Sequence, residues 1–144
     1  MQIRPATRND VHVCFAIRLA VRENVLSDPT RITYGDYLRE IEVTGRGWVA
    51  LLDGTVRGFA VGRRIDGNIW ALFVEPGFEG RGIGRALHDV MVGWLFEQGN
   101  ARLWLTTGAG TRAERLYQRA GWYDTLERDH GDVRYELTEA TWKR

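Results

Sequence analysis

A chain of 144 residues is long enough for one domain with a buried core and too short for two ordinary ones. With 44% hydrophobic and 27% charged residues it has the composition of a soluble globular protein, and a net charge of +1 leaves no global electrostatic case for nucleic acid or an acidic membrane. The lone Cys14 excludes an intramolecular disulfide and a cysteine-based metal site, and beside apolar neighbours it reads as a small buried hydrophobe.

The opening MQIRPATRND has no apolar leader core, and no apolar run approaches the roughly 18 residues of a membrane span, so a cytoplasmic, non-membrane protein is expected. Gln2 to Ala6 fits an edge strand, the position that tolerates Pro5. Thr7 to Asp10 has the form of a capping box, with Asp in place of Glu or Gln, and opens a helix to about Glu23. Ser27-Asp-Pro29 breaks it. Thr33 to Asp36 opens a second helix, which stops before Gly45. The period then changes to strand: Trp48 to Leu52 and Val56 to Arg63 flank an Asp53-Gly54 turn, and Asp66-Gly67 turns into Asn68 to Val74. Ile69 to Val74 is apolar on both faces and belongs in mid-sheet.

Gly80, Gly82 and Gly84 sit where that strand gives way to a helix carrying Leu87, Val90, Met91, Trp94 and Leu95 at helical spacing. Gly99-Asn100 ends the helix and Arg102 to Thr107 is another strand. Strand, crossover helix and strand predict a parallel pair. Thr111 to Glu114 is a further capping box, opening a helix through Ala120 that Gly121 terminates. Trp122 to Arg128 and Val133 to Leu137 close the chain as a hairpin around Asp129-His-Gly131. The order β-α-α-β-β-β-α-β-α-β-β gives a single α/β domain over 1–144, with one mixed, mostly antiparallel sheet flanked by helices.

A helix N-terminus leaves its first N–H groups unpartnered and carries about half a positive charge, so a glycine-rich turn at that point suits a phosphate. Two common phosphate motifs do not fit. Gly77 to Gly82 has Walker A glycine spacing, but Ile83-Gly84 stands where Lys and Ser or Thr are needed. A Rossmann turn needs a third glycine where Arg85 stands, and expects repeated βαβ units rather than a meander.

The chain resembles the GCN5-related N-acetyltransferase (GNAT) family instead. The resemblance rests on Leu72-x-Val74-x-Pro76, then Arg81-Gly82-x-Gly84-x-x-Leu87, then Ala113-x-x-Leu116-Tyr117-x-x-x-Gly121-Trp122, and the element order agrees over nearly the whole chain. It implies the acyl-CoA N-acyltransferase fold and an acetyl-CoA-dependent N-acetyltransferase acting on an amine of a small molecule or peptide in a ternary complex. It further implies that the backbone around Phe73 and Val74 holds the pantetheine arm, and that N–H groups from Arg81 through Gly82, Ile83, Gly84, Arg85 and Ala86 cradle the pyrophosphate. Tyr117 matches the tyrosine that protonates the leaving thiolate. Two positions depart from the pattern: Glu79 replaces Gln or Arg, and is expected to face away from the phosphates, while Gly110 replaces an asparagine.

The amine must be neutral to attack, yet an alkyl ammonium resembles lysine, with a pKa of about 10.4, so a base or water relay is expected. In the histone-acetylating branch a Glu near the start of the mid-sheet strand serves; Asn68 stands there and cannot, leaving Glu75 as the candidate. Glu23, Tyr34 and Trp48 are candidates for holding the amine through charge and cation–π contact. His12, His88 and His130 form no H-x-x-x-H pair, so no metal is expected. Acetyl-CoA and an amine acceptor are the expected partners; neither nucleic acid nor membrane is, and a homodimer stays open. A catalytically weak acyl-CoA sensor is the alternative from another class.

Overall fold

The computed structural model describes residues 1–143. The first strand, β1 (Gln2–Pro5), leads through a 3-10 turn at Arg8–Asp10 into α1 (Val11–Ala20). The Asp10 carboxylate accepts the Thr7 N–H at 2.8 Å and pairs with Arg4 at 2.8 Å, tying strand to helix. That helix ends at Ala20 rather than near Glu23, because Val21 turns to an extended ψ of 149°. The second helix, α2 (Tyr34–Arg39), is capped by the Thr33 hydroxyl, which accepts the Asp36 N–H at 3.2 Å, and unwinds into a π-helical turn at Glu40–Thr44.

The meander follows as β2 (Gly45–Leu52), β3 (Thr55–Arg63) and β4 (Asn68–Val74). Asp53 at φ 50° and Gly54 at φ 80° give the tight turn that a two-residue hairpin requires. Next come α3 (Ile83–Glu97), β5 (Arg102–Thr107), α4 (Arg112–Arg119), β6 (Tyr123–Asp129) and β7 (Asp132–Thr138). A short α5 (Glu139–Trp142), capped by Thr138, adds an element that the sequence pattern did not suggest. The seven strands lie in the order β1-β2-β3-β4-β5-β7-β6, with every pair antiparallel except β4 with β5.

Both faces of the sheet are covered. Leu87, Met91 and Leu95 of α3 pack with Leu103, Leu105 and Leu137 on one face, while Val11, Cys14, Ile17 and Tyr37 pack on Phe59 and Val61 on the other. Burial pushes the Cys14 thiol up to about 12, which leaves it an inert core group. A bulge opposite Val61 and Gly62 lets Trp70 and Ala71 face the same side, so that Leu72 and Val74 then face α3 and Phe73 faces α1. The phase of α3 differs from the expected stripe. Val90 is 41% exposed and His88 fully buried, because His88 packs beneath Trp122 and Trp142.

Candidate functional site

The site begins with a gap in the sheet. Glu75 N–H donates to the Arg57 carbonyl at 2.8 Å, and Phe73 stands opposite Phe59. Bonded and non-bonded pairs alternate along an antiparallel ladder, so the N–H and C=O of Leu72 and Val74 turn away from β3 and towards β5. Among the described residues β5 meets β4 in register only at Asn68 opposite Trp104. Asn68 Nδ2 donates to the Trp104 carbonyl at 3.3 Å and pins that junction, beyond which the two strands diverge. The free backbone therefore belongs to Leu72 and Val74, and Phe73 contributes its ring rather than its N–H. Leu72 was legible once the pairing parity was known, but parity cannot be read from sequence.

At the upper end of the gap lies the N-terminus of α3. Thr33, Thr111 and Thr138 cap their helices with hydroxyls, whereas α3 begins at Gly82, which sits at φ 83° and offers no side-chain cap. The N–H groups of Ile83, Gly84 and Arg85 thus lack intrahelical partners, while Ala86 N–H is taken by the Gly82 carbonyl at 3.1 Å. Ala86 is accordingly removed from the expected cradle. A cavity of about 490 Å³ opens here, bordered by Arg22, Arg85, Arg112, Arg115 and Arg119. Uncapped N–H groups and clustered guanidinia fit a polyphosphate. Arg81 is exposed and lies outside this lining, its guanidinium 5.0 Å from the Phe78 ring, which Arg57 also approaches at 4.2 Å.

Asn24, Leu72, Phe73 and Ala113 form the wall between this cavity and a second of about 660 Å³, which Tyr117 borders together with Arg18, Ile69, Leu105 and Thr107. Tyr117 is 4% exposed and packs 5.6 Å from Trp122 and 6.1 Å from His88, centroid to centroid. Burial pushes its phenol above the ordinary range, so it keeps its proton at neutral pH. Beneath it, the Trp122 indole N–H donates to His88 Nε2 at 2.9 Å. An indole nitrogen can only donate, so the His88 proton sits on Nδ1, 2.8 Å from Asp89 Oδ1. Burial holds the His88 imidazole below its usual pKa.

The remaining sequence candidates scatter. Glu75 borders neither cavity and is engaged by Arg57 Nη1 at 2.6 Å. Glu23 borders the first cavity, its carboxylate accepting the Arg112 N–H at 3.1 Å at the start of α4. Tyr34 is 48% exposed, its hydroxyl donating to the Arg8 carbonyl at 3.2 Å. Trp48 is 4% exposed and faces α3, where it packs edge-on against Trp94 at 5.5 Å. Neither aromatic borders either of these two cavities. Glu79 curls back so that its carboxylate accepts the Gly77 N–H at 2.8 Å, although the residue still borders the first cavity. Gly110, at φ 76°, donates its N–H to Glu114 Oε1 at 2.9 Å. Glu114 therefore does not complete the capping box on Thr111, whose Oγ1 alone caps α4.

Comparison with known proteins agrees with this geometry. A family model described as the Acetyltransferase (GNAT) family matches residues 8–122. A segment of 56 residues, 38% of this chain, is 41% identical to a mycothiol acetyltransferase of Propionibacterium freudenreichii subsp. shermanii; it spans 18% of that protein's length. The PaiA N-acetyltransferase of Thermoplasma acidophilum, solved with coenzyme A, superposes with a TM-score of 0.82 at 16% identity, covering 95% of this chain and 98% of that one. YncA of Salmonella typhimurium, a putative acetyltransferase solved with acetyl-CoA, gives 0.75 at 17% identity over 96% and 93%. The fold is that of the acyl-CoA N-acyltransferases, and the chain belongs to the GNAT acetyltransferase family.

Proposed function

We propose that this chain is an acetyl-CoA-dependent N-acetyltransferase that passes the acetyl group directly to an amine of a small molecule or peptide within a ternary complex. One observation carries the reading. The divergence of β4 from β5 leaves the Leu72 and Val74 backbone groups facing a gap that runs from the uncapped start of α3 to Tyr117. The α3 N–H groups of Ile83, Gly84 and Arg85 take the pyrophosphate, and Leu72 and Val74 pair with the pantetheine amides as a missing strand would. The amine attacks the thioester carbonyl, and the Leu72 N–H, the free β4 donor that borders the Tyr117 cavity, stabilises the oxyanion, a donor of a kind worth about 3 kcal/mol. As the C–S bond breaks, the sulfur takes the Tyr117 proton.

Deprotonation of the amine falls to water at the second cavity, whose carboxylates among the described residues are Asp129 and Asp132 at the mouth. Glu75, held by Arg57, is poorly set for it. Thiol release from acetyl-CoA over a panel of amines, with acetyl-CoA binding measured alongside, tests the proposal. Amine-dependent thiol release is expected. Tight binding with no release on any amine would point to an acyl-CoA sensor instead.

A further inference from the structure

Arg18, on the last turn of α1, stacks its guanidinium carbon 4.3 Å from the centroid of the Phe73 ring and borders the second cavity. Its Nη1 is buried and has no hydrogen-bond partner among the described residues. Other partly buried arginines have a carboxylate partner: Arg63 reaches Glu40 at 2.7 Å, Arg4 reaches Asp10 at 2.8 Å, and Arg57, although its Nε is also buried and unpartnered, reaches Glu75 through Nη1 at 2.6 Å. Burial lowers the pKa of Arg18, opposed only by the Tyr37 phenol. A guanidinium partly withdrawn from water without a counter-charge is costly, and an arriving anion would relieve that cost.

We propose that Arg18 selects an acceptor bearing a carboxylate beside its amine, of the free α-amino acid class; this rests on the acetyl-transfer reading above. The planar fork of a guanidinium matches a carboxylate bidentately. Its place on Phe73 sets the charge one residue from Leu72, where the thioester carbonyl would sit, and in the same cavity as Tyr117. The walls next to it, Ile69, Leu72 and Leu105, are apolar and suit an aliphatic or aromatic side chain. The same lining carries Asp129, Asp132 and Arg31 beside Arg18, a mix of charge that suits an acceptor bearing both an ammonium and a carboxylate.

The test compares L-methionine, L-phenylalanine and L-leucine with their α-carboxamides as acceptors, in the wild type, Arg18→Gln and Arg18→Lys. The free acids should be preferred by about tenfold or more, the scale of one charged hydrogen-bonded contact. Arg18→Gln should raise KM for the acids to the level of the amides, leave KM for acetyl-CoA unchanged, and be partly rescued by Arg18→Lys. Equal use of acids and amides would overturn the proposal while leaving the acetyltransferase intact. A fall in kcat shared by every amine would overturn it too, placing Arg18 on the thioester. A readout free of turnover is the binding of N-acetyl-L-methionine against its amide to CoA-loaded protein. Preference for the acid, lost in Arg18→Gln, supports the proposal even if no amine is turned over; equal binding sinks it.

Discussion

Asn24 donates from Nδ2 to Thr107 Oγ1 at 3.2 Å and accepts the Gly108 N–H on Oδ1 at 2.7 Å, tying the chain just after α1 to the end of β5. It sits at φ 56°, a left-handed conformation that asparagine tolerates better than most residues, and it borders both cavities. Asn24→Ala removes both bonds and strains the backbone, and should cost about 1–3 kcal/mol. Asn24→Gly loses the bonds but keeps the backbone relaxed, so the order wild type, Gly, Ala is expected in urea midpoints. The acceptor KM should rise in both variants. An alanine variant as stable as the wild type would show that this tie contributes nothing.

Gly82 carries the uncapped start of α3 at φ 83°, with open space where a Cβ would go. An alanine there meets no clash, only the left-handed backbone cost of roughly 1–2 kcal/mol. Relaxing it would tilt the first-turn N–H groups away from the phosphates. Gly82→Ala should therefore weaken acetyl-CoA binding, as measured by calorimetry, by more than Gly93→Ala does. Gly93 lies mid-helix in α3, outside both cavity linings, also with open space for a Cβ. Equal affinities for the two variants would remove the α3 start from the site.

His88 predicts a pH dependence of stability. Its folded pKa lies below the unfolded value of about 6.5, so the unfolded chain binds a proton more readily. Its contribution is present in full above about pH 6.5 and is lost as pH falls towards its folded pKa. His88→Gln can still accept from Trp122 and donate to Asp89. It should flatten the stability profile below about pH 6.5, whatever its effect on absolute stability. A slope unchanged in His88→Gln would assign it to other groups.

Much of the fold was legible because its signals are local. Asp53-Gly54, Asp66-Gly67 and Gly121 fix backbone conformation by themselves, and the glycine turn at Gly80 to Gly84 marks the start of α3 from sequence alone. What was not legible depends on partners distant in the chain. The phase of α3 is set by Trp122 and Trp142 closing over His88, so an apolar count placed Val90 inside and left His88 out. Trp48 was a candidate until strand parity turned it towards Trp94. Glu23 and Asn24 looked like part of a helix and a loop, yet both bond to residues more than eighty positions away. Arg18 gave no signal, because the absence of a counter-charge is visible only once every neighbour is placed.

The central claim is that Tyr117, beside the gap between β4 and β5, supplies the proton to the departing thiolate. Single-turnover acetyl transfer in Tyr117→Phe, with acetyl-CoA binding measured in parallel, tests it most directly. Loss of a positioned proton donor should slow transfer by about a hundredfold or more while binding stays within a few-fold of the wild type. An unchanged single-turnover rate would show that Tyr117 is a packing residue against Trp122 and His88, and would contradict the account.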